Sequence, residues 1–249
     1  LFANGVEIGN IVKLNERNNW KYTWDNLEKY ANGKEISYTV KERDLPAKYS
    51  VTYENDGLEV INTCPPQTDK TVKVVWDDNE DVGGIRPDSI RVKLNATLPD
   101  GTEFDISSMV ETEVVLNENN NWSYTWNVSQ YKVVGLNVDD WIEINYSIEE
   151  IDTVANYQTE YTSKEFTNNS NITITNTLNK FEYTVNYYYD GVKDDTETVV
   201  EKAFLNNGIT EYEDKIRTGY RLEDVTGIPL QITGDASQNI INVYYVRKD

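Results

Sequence analysis

The sequence predicts a mainly β protein with two tandem β-sandwich domains followed by a smaller β-rich domain. Residue types that suit half-buried strands, namely Tyr, Val, Ile, Thr and Trp, dominate its patterned stretches. No stretch carries a helical stripe of apolar residues. An unusual Asn- and Trp-rich phrase, LNERNNWKYTW at Leu14–Trp24, returns as LNENNNWSYTW at Leu116–Trp126. This repeat indicates that one folding module occurs twice.

The similarity between the two copies extends beyond that phrase. EISYTVKE at Glu35–Glu42 corresponds to EINYSIEE at Glu143–Glu150, and VINT at Val60–Thr63 corresponds to ITNT at Ile174–Thr177. The interval is far longer than the roughly 20–50 residues of a solenoid repeat, so each copy has the size of a small domain. Turn clusters separate short strand-like runs inside each copy, which is typical of a β-sandwich.

Composition shifts and turn residues predict the domain boundaries. The predicted organisation is a first sandwich at residues 1–64, a linker at 65–69, a second sandwich at 70–178 and a third domain at 180–249. The prolines Pro65 and Pro66 favour an extended linker. Nothing in the first copy corresponds to residues 71–93, so its first strand is expected either before Leu1 or from another chain.

The paired tryptophans of the repeated phrase are predicted to pack in sandwich cores. Trp20 and Trp24, like Trp122 and Trp126, lie four residues apart and therefore share one face of a strand. Large aromatic side chains dominate small β cores, which favours packing over the alternative of an aromatic ligand platform.

The third domain opens with FEYTVNYYYDG, a second aromatic pattern. This run places alternate residues on one strand face, namely Phe181, Tyr183, Val185, Tyr187 and Tyr189. Core or inter-domain packing is the favoured interpretation, and the alternative is that Tyr187–Tyr189 stack on a sugar. A closing strand is predicted at Asn239–Val246.

Charge and composition exclude several classes of function. The net charge of −20 repels phosphate backbones and anionic lipid, so neither nucleic acid nor bare membrane is an expected partner. Without histidine the chain lacks Ser-His and Cys-His nucleophile pairs and the usual zinc ligands. No membrane-spanning run, cofactor motif or metal constellation is present. A conventional enzyme is therefore not expected.

Strand alternation directs two polar residues of each copy towards a core. Glu150 follows Ile144, Tyr146 and Ile148 on one face, and Asn176 follows Ile172 and Ile174 on another; Glu42 and Asn62 hold the same places in the first copy. Unpartnered burial would cost each group several kcal/mol, about 2–7 for a neutral one. We therefore expect each copy to contain groups that satisfy these buried residues.

The second copy resembles the B-type repeats of Gram-positive collagen-binding adhesins, the Cna-B domains. The resemblance is carried by VVWDD, RPDSIRVKL, LNENNNWSYTW, INYSIEE and ITNT. It implies immunoglobulin-like or prealbumin-like sandwiches in which a lysine of the first strand condenses with an asparagine of the last, promoted by a glutamate. By this resemblance Glu150 and Glu42 are the promoters, and Asn176 and Asn62 are the acceptors.

The lysine departs from that pattern. The family position, two residues before Trp76, is occupied by Val74. Lys73 is the candidate donor if a β-bulge turns it inward, and Lys70 has the correct phase but is expected to precede the strand. The alternative is that Glu150 and Asn176 only form hydrogen bonds, either to each other or to the backbone. In the first copy the lysine is expected upstream of Leu1.

Residues 180–249 resemble the mucin-binding-protein repeat, MucBP, through YTVNYYYDG, GYRLEDV and INVYYV. The resemblance implies a small β-grasp-like fold and suggests contact with mucin. No residue is diagnostic of a glycan site.

Two weaker signals favour structural interpretations. In DDNEDVGG, Asp77, Asn79 and Asp81 offer alternate oxygens, but Val82 and Asp88 stand where an EF-hand loop has Gly and Glu. A solvated acidic loop is therefore favoured over a calcium site. Cys64 is interpreted as an incidental linker thiol rather than a link between chains.

These observations predict a monomeric, elongated stalk or spacer of an adhesin in the cell wall of a Gram-positive bacterium. Its expected partners are neighbouring repeats of the same protein. Autocatalytic isopeptide formation is the only chemistry expected. The rival hypothesis is a module that binds mucin, collagen or another host matrix ligand or glycan.

Overall fold

The computed structural model describes residues 1–44, 48–135, 138–167 and 171–248. It consists of β-strands with short 3-10 turns, and within these ranges no helix reaches the length and apolarity needed to cross a lipid bilayer. The chain divides into two compact units. Unit 1 comprises Leu1–Thr68, Thr97–Phe104 and Asn127–Asn145, and unit 2 comprises Asp69–Ala96, Asp105–Trp126 and Tyr146–Asp249. The predicted domain boundaries stay predictions.

The strands fall into three groups along the sequence. The first copy contains β1 (Phe2–Ala3), β2 (Val6–Glu7), β3 (Tyr30–Ala31), β4 (Lys34–Glu35), β5 (Tyr38–Thr39), β6 (Ser50–Glu54) and β7 (Glu59–Thr63). The second copy contains β8 (Gln67–Asp77), β9 (Ser89–Thr97), β10 (Glu113–Asn117), β11 (Ser123–Ser129), β12 (Tyr131–Lys132), β13 (Ile142–Glu143), β14 (Asn145–Glu150), β15 (Tyr157–Tyr161), β16 (Glu165–Phe166) and β17 (Ile172–Leu178). The C-terminal group is β18 (Lys180–Tyr189), β19 (Val192–Lys193), β20 (Val199–Phe204), β21 (Gly208–Ile209), β22 (Tyr220–Thr226), β23 (Leu230–Gln231) and β24 (Ile240–Arg247). The 3-10 turns span Glu16–Asn18, Asn55–Gly57, Glu118–Asn120, Val138–Asp140 and Ala236–Gln238.

The second copy is a β-sandwich, as predicted. One sheet has the order β10-β9-β14-β16 and the other β11-β8-β17-β15. Alternate residues of the strands are buried, because one face of each strand points inward. The buried side chains on these strands within unit 2 include Val72, Val74, Ile90, Val92, Leu94, Leu116, Tyr146, Ile148, Ile172 and Ile174.

The first and last strands of this sandwich are direct neighbours. β8 and β17 pair in parallel with a continuous register from Val72 opposite Ile172 to Asp77 opposite Thr177. Trp76 on β8 then meets Trp122 edge-on at 5.1 Å and Tyr157 at 5.2 Å between ring centroids. The first strand therefore supplies the centre of an aromatic cluster, and Trp122 is 8% exposed as a result.

The repeated phrase folds into the same local turn in both copies. The Asn117 side chain accepts a hydrogen bond from the Asn119 amide at 3.0 Å, and that of Asn120 accepts from the Asn117 amide at 2.9 Å. In the first copy Asn15 and Asn18 make the equivalent bonds, both at 2.9 Å. Each turn ends on a left-handed asparagine, with φ of 52° at Asn19 and 53° at Asn121. Asparagine tolerates this conformation and caps its own backbone, which explains the repeated asparagines.

The first copy forms only short strands. Sheets β2-β1-β5, β3-β4 and β6-β7 are separate, and β7 pairs with β6 alone among the described residues. Trp20 is 64% exposed, so its predicted core position is wrong in this structure, whereas the prediction holds for Trp122 and Trp126. The described part of the first copy has no strand that corresponds to β8, and so Trp20 lacks the partner that Trp76 gives to Trp122.

The C-terminal group forms a mixed sheet of order β19-β18-β24-β22, with β20 also paired to β18. β18 and β24 are parallel neighbours at its centre. Val185, Tyr187 and Tyr189 are buried in the core, and Phe181 and Tyr183 pack against it, which confirms the predicted alternation. The hydroxyls of Tyr187 and Tyr189 donate to the carbonyls of Glu213 and Lys215, each at 2.6 Å. Tyr187 and Tyr189 are therefore core residues, as the favoured interpretation predicted.

Replacing the two equivalent tryptophans tests the effect of the first strand. Trp122→Ala should lower the free energy of unfolding by about 3 kcal/mol, because it removes a buried aromatic from a packed cluster. Trp20→Ala should change it by less than about 0.5 kcal/mol, because that side chain is exposed. Urea unfolding monitored by circular dichroism measures both. Similar losses in the two variants would contradict the different burial of Trp20 and Trp122.

Candidate functional site

The predicted carboxylate and amide of the second copy lie together. Asn176 on β17 is fully buried, and its side-chain nitrogen donates to Glu150 at the end of β14, at 3.2 Å to Oε2 and 3.5 Å to Oε1. The Thr159 hydroxyl on β15 donates to Asn176 Oδ1 at 2.6 Å. Both ends of the amide are therefore hydrogen-bonded, which removes the penalty for burying it.

The environment of Glu150 favours its neutral form. Burial raises the pKa of Glu150, the hydrogen bond from Asn176 opposes this shift only in part, and the Asp152 charge adds to it. The backbone amide of Glu150 donates to the Tyr161 hydroxyl at 3.1 Å, which fixes the end of the strand. The arrangement places an amide beside an acid whose pKa is raised, which is the direction in which a general acid for acyl transfer is tuned.

The three candidate positions on β8 differ in orientation. Val74 is 2% exposed and lies beside Ile174, two residues before the position opposite Asn176. Lys73 is exposed, because β8 runs without a bulge from Val72 to Asp77 and so directs it away from the core. The inward turn required for Lys73 as donor is thus absent.

Lys70 is placed differently from the prediction. It lies within β8, which begins at Gln67, and is 7% exposed rather than preceding the strand. Its amine lies 5.9 Å from the Tyr146 ring centroid and 5.8 Å from that of Phe166. Asn176 is paired with Trp76, which lies six residues after Lys70 on β8. Six residues of strand span about 20 Å, so Lys70 is that far along β8 from the position opposite the acceptor.

The equivalent pair of the first copy is assembled but more open. Asn62 Nδ2 donates to Glu42 Oε1 at 3.1 Å, and the Glu42 amide donates to the Tyr53 hydroxyl at 3.0 Å. Asn62 is exposed, unlike Asn176. The buried Glu42 Oε2 has no hydrogen-bond partner among the described residues. Glutamate and asparagine thus meet in both copies, but the first copy does not enclose them.

Sequence reasoning did not identify the residues that position these pairs. The hydroxyls of Tyr161 and Tyr53 accept hydrogen bonds from the backbone amides of the glutamates in the two copies. In the second copy, Thr159 donates a hydrogen bond to the side-chain carbonyl of the asparagine. The tyrosines carry a detectable signal, since each lies eleven residues after its glutamate. Thr159 carries no such signal, because the first copy does not repeat it. Thr159 lies opposite Asn176 in the second copy, whereas Val51 lies opposite Asn62 in the first.

The acidic loop after β8 is an internally bonded structure. Asp78 is fully buried and accepts from Arg86 Nε at 2.9 Å, the Tyr157 hydroxyl at 2.9 Å and the Asp81 amide at 3.0 Å. Burial alone would raise the pKa of Asp78, but these hydrogen bonds lower it below its usual value. No acidic or cysteine cluster suited to a metal occurs among the described residues. The expectation of a solvated loop is therefore wrong for Asp78, whose charge is matched by Arg86.

Comparison with known proteins identifies the repeated copies. The family of Cna protein B-type domains matches residues 1–63 and 70–177. The collagen adhesin of Staphylococcus aureus is 31% identical over 177 residues, which cover 71% of this chain and 13% of that protein. The chain thus spans a small part of the relative's length.

Two solved structures from the same organism are similar. A crystal structure of a single B repeat unit, B1, of the collagen-binding surface protein has 30% identity, covers 71% of this chain and 83% of its own, and gives a TM-score of 0.34. The structure of two units, B1B2, has 23% identity, covers 98% of this chain and 66% of its own, and gives a TM-score of 0.35.

The raised pKa of Glu150 predicts a pH dependence of stability. An acid whose pKa is raised by folding favours the folded state when protonated, so stability should fall as the pH rises from the unfolded value, 4.5, through the folded value. Glu150→Gln keeps a neutral acceptor for Asn176 and should remove this loss. The control is Glu149→Gln, since the Glu149 side chain is exposed. Melting temperatures between about pH 4 and pH 8 measure the effect; parallel curves for native protein and Glu150→Gln would contradict it.

Proposed function

This chain belongs to the family of Cna protein B-type domains, and from that premise we propose that it is a stalk segment of a cell-wall-anchored adhesin of a Gram-positive bacterium. The family consists of structural repeats of surface adhesins, and the chain is not an enzyme. Two matched copies in tandem support a spacer role. We place the protein outside the cell, as a monomer whose neighbours are further repeats.

The pairing of β8 with β17 is the observation that supports a load-bearing role. The chain enters the second copy at the start of β8 and leaves it at the end of β17, and these strands are parallel neighbours. Tension applied at those two points pulls the strands in opposite directions along their length. All the hydrogen bonds between the two strands then share the load at once. If the strands were instead pulled apart from one end, their hydrogen bonds would break one at a time.

We also propose that Glu150 with Asn176, and Glu42 with Asn62, are the acceptor halves of isopeptide sites. In such a site a neutral lysine Nζ attacks the asparagine side-chain carbon, the new C–N bond replaces the old one, and ammonia leaves. A protonated glutamate beside the amide nitrogen, where it lies in both copies, gives its proton to the leaving nitrogen and takes one from the attacking amine. In the second copy Val74 occupies the donor position, so Glu150 and Asn176 act there as a hydrogen-bonded core pair.

A binding role is the second candidate. It rests on the name of the relative, a collagen adhesin, and on the predicted similarity of residues 180–249 to mucin-binding repeats. Surface-captured collagen and mucin can be tested against the full chain by plasmon resonance. The stalk proposal requires the absence of saturable binding to either one, and saturable binding would favour the rival.

Force spectroscopy tests the load-bearing geometry directly. Handles are attached through cysteines at Gln67 and Lys180, or at Asp77 and Lys180, in a Cys64→Ala background. The first pair shears β8 along β17 and should break at higher force than the second, which peels the strands from one end. Equal rupture forces in the two geometries would remove the mechanical argument for a stalk.

Intact mass tests the acceptor half of the crosslink. Native protein should show no ammonia deficit in the second copy, because Lys73 faces outward and Lys70 is out of reach. Val74→Lys should lose one ammonia, since it places an amine on the buried face of β8 near Asn176. The deficit should disappear in Val74→Lys with Asn176→Ala. A native deficit that maps to Asn176 would contradict the core-pair role, and an unmodified Val74→Lys variant that folds would contradict the assignment of Asn176 as an acceptor.

A further inference from the structure

The acidic loop after β8 reaches the C-terminal sheet. We define the brace loop as Asp78–Arg86 and the receiving turn as Leu205–Asn207, which follows β20. Asn206 Nδ2 in the receiving turn donates to the carbonyl of Gly83 in the brace loop at 3.0 Å. All these residues belong to unit 2, so the contact lies within one compact body.

Gly83 is the point of closest approach. It is buried, and a Cβ added there would lie 3.0 Å from Leu178 Cδ2 and 3.2 Å from the Leu205 carbonyl oxygen. Its backbone does not have a positive φ, so glycine is needed here for space. The brace loop thus packs against the end of β17 and against the receiving turn at once.

The covalent connection at this place is very short. Asn179 alone separates β17 from β18, and its carbonyl accepts from the Leu205 amide at 2.9 Å. Its own amide donates to the Asn156 carbonyl at 2.9 Å. The linker between the sandwich and the C-terminal sheet is therefore hydrogen-bonded on both sides, which removes the freedom of an ordinary interdomain connection.

Both partners of the contact are themselves fixed. Within the brace loop, Asp78 holds Arg86, and Asp81 Oδ1 accepts from the amides of Ile85 at 3.0 Å and Arg86 at 2.9 Å. Asn206 has a left-handed φ of 63°, and its amide donates to the Ile232 carbonyl at 2.9 Å. A contact between two fixed segments transmits displacement, whereas one between mobile loops does not.

We propose that the brace loop locks the second sandwich and the C-terminal sheet into one rigid joint, with Gly83 and Asn206 as its contact residues. The acidic motif thus orients the next module of the chain. The evidence for this joint is the set of contacts above and does not depend on the proposed stalk function. If the chain is a stalk, the joint would prevent bending at Asn179.

Spin-label distances across the joint test this proposal in the full chain. Labels at Lys73 and Lys202, both exposed, in a Cys64→Ala background report on the sandwich and the C-terminal sheet. The native chain should give one narrow distance distribution. Two substitutions should each broaden this distribution. Gly83→Val inserts side-chain atoms between Leu178 and Leu205, and Asn206→Gly keeps the left-handed backbone but removes the side-chain amide.

Matched substitutions control for these changes. Gly208→Val adds the same side chain where a new Cβ meets no atom within 4 Å. Asn121→Gly makes the same replacement at another left-handed asparagine, with φ of 53°. Both should leave the distribution narrow. A broad distribution in the native chain, or a narrow one in Asn206→Gly, would overturn the joint, and Asn206→Gly decides the matter if Gly83→Val does not fold.

Discussion

The parallel pairing of β8 with β17 is the constraint on which the second sandwich depends. It places Trp76 between Trp122 and Tyr157, brings Asp78 to the Tyr157 hydroxyl, and sets Val74 two residues before the position opposite Asn176. Parallel strands need a long connection between them, and here the remaining strands of the sandwich provide it. The first and last segments of the copy therefore depend on each other for burial.

The first copy, which lacks a strand equivalent to β8 among its described residues, shows what changes without this pairing. Its repeated phrase forms the same capped turn as that of the second copy, and its glutamate and asparagine still meet. Without a strand equivalent to β8 among its described residues, however, Trp20 and Asn62 are exposed. The turn and the pair thus form without the partner strand, whereas the equivalent tryptophan and asparagine, Trp122 and Asn176, are buried in the copy that has it.

The geometry around the buried side-chain amide of Asn176 suits both a stable hydrogen-bonded pair and the acceptor of a crosslink. Thr159 and Glu150 satisfy its oxygen and nitrogen, so the group is stable inside the core without a crosslink. The hydrogen bond from Thr159 to the amide oxygen also polarises the carbonyl for attack if an amine is present on β8. The identity of the residue at position 74 decides between these outcomes, because the acceptor side is already assembled.

Sequence alone determined the features that follow from local period and local hydrogen bonding. The β class, the repeat and the alternation of Val185, Tyr187 and Tyr189 were predictable, since strand alternation acts over a few residues. Alternation also gave the inward direction of Glu150 and Asn176, but their contact joins strands of two different sheets. Tertiary structure decided the burial of Lys70, the exposure of Trp20, the role of Thr159 and the docking of Gly83 against the C-terminal sheet. Each of these depends on which distant strand or turn lies alongside, and no short-range pattern in the chain encodes that neighbour.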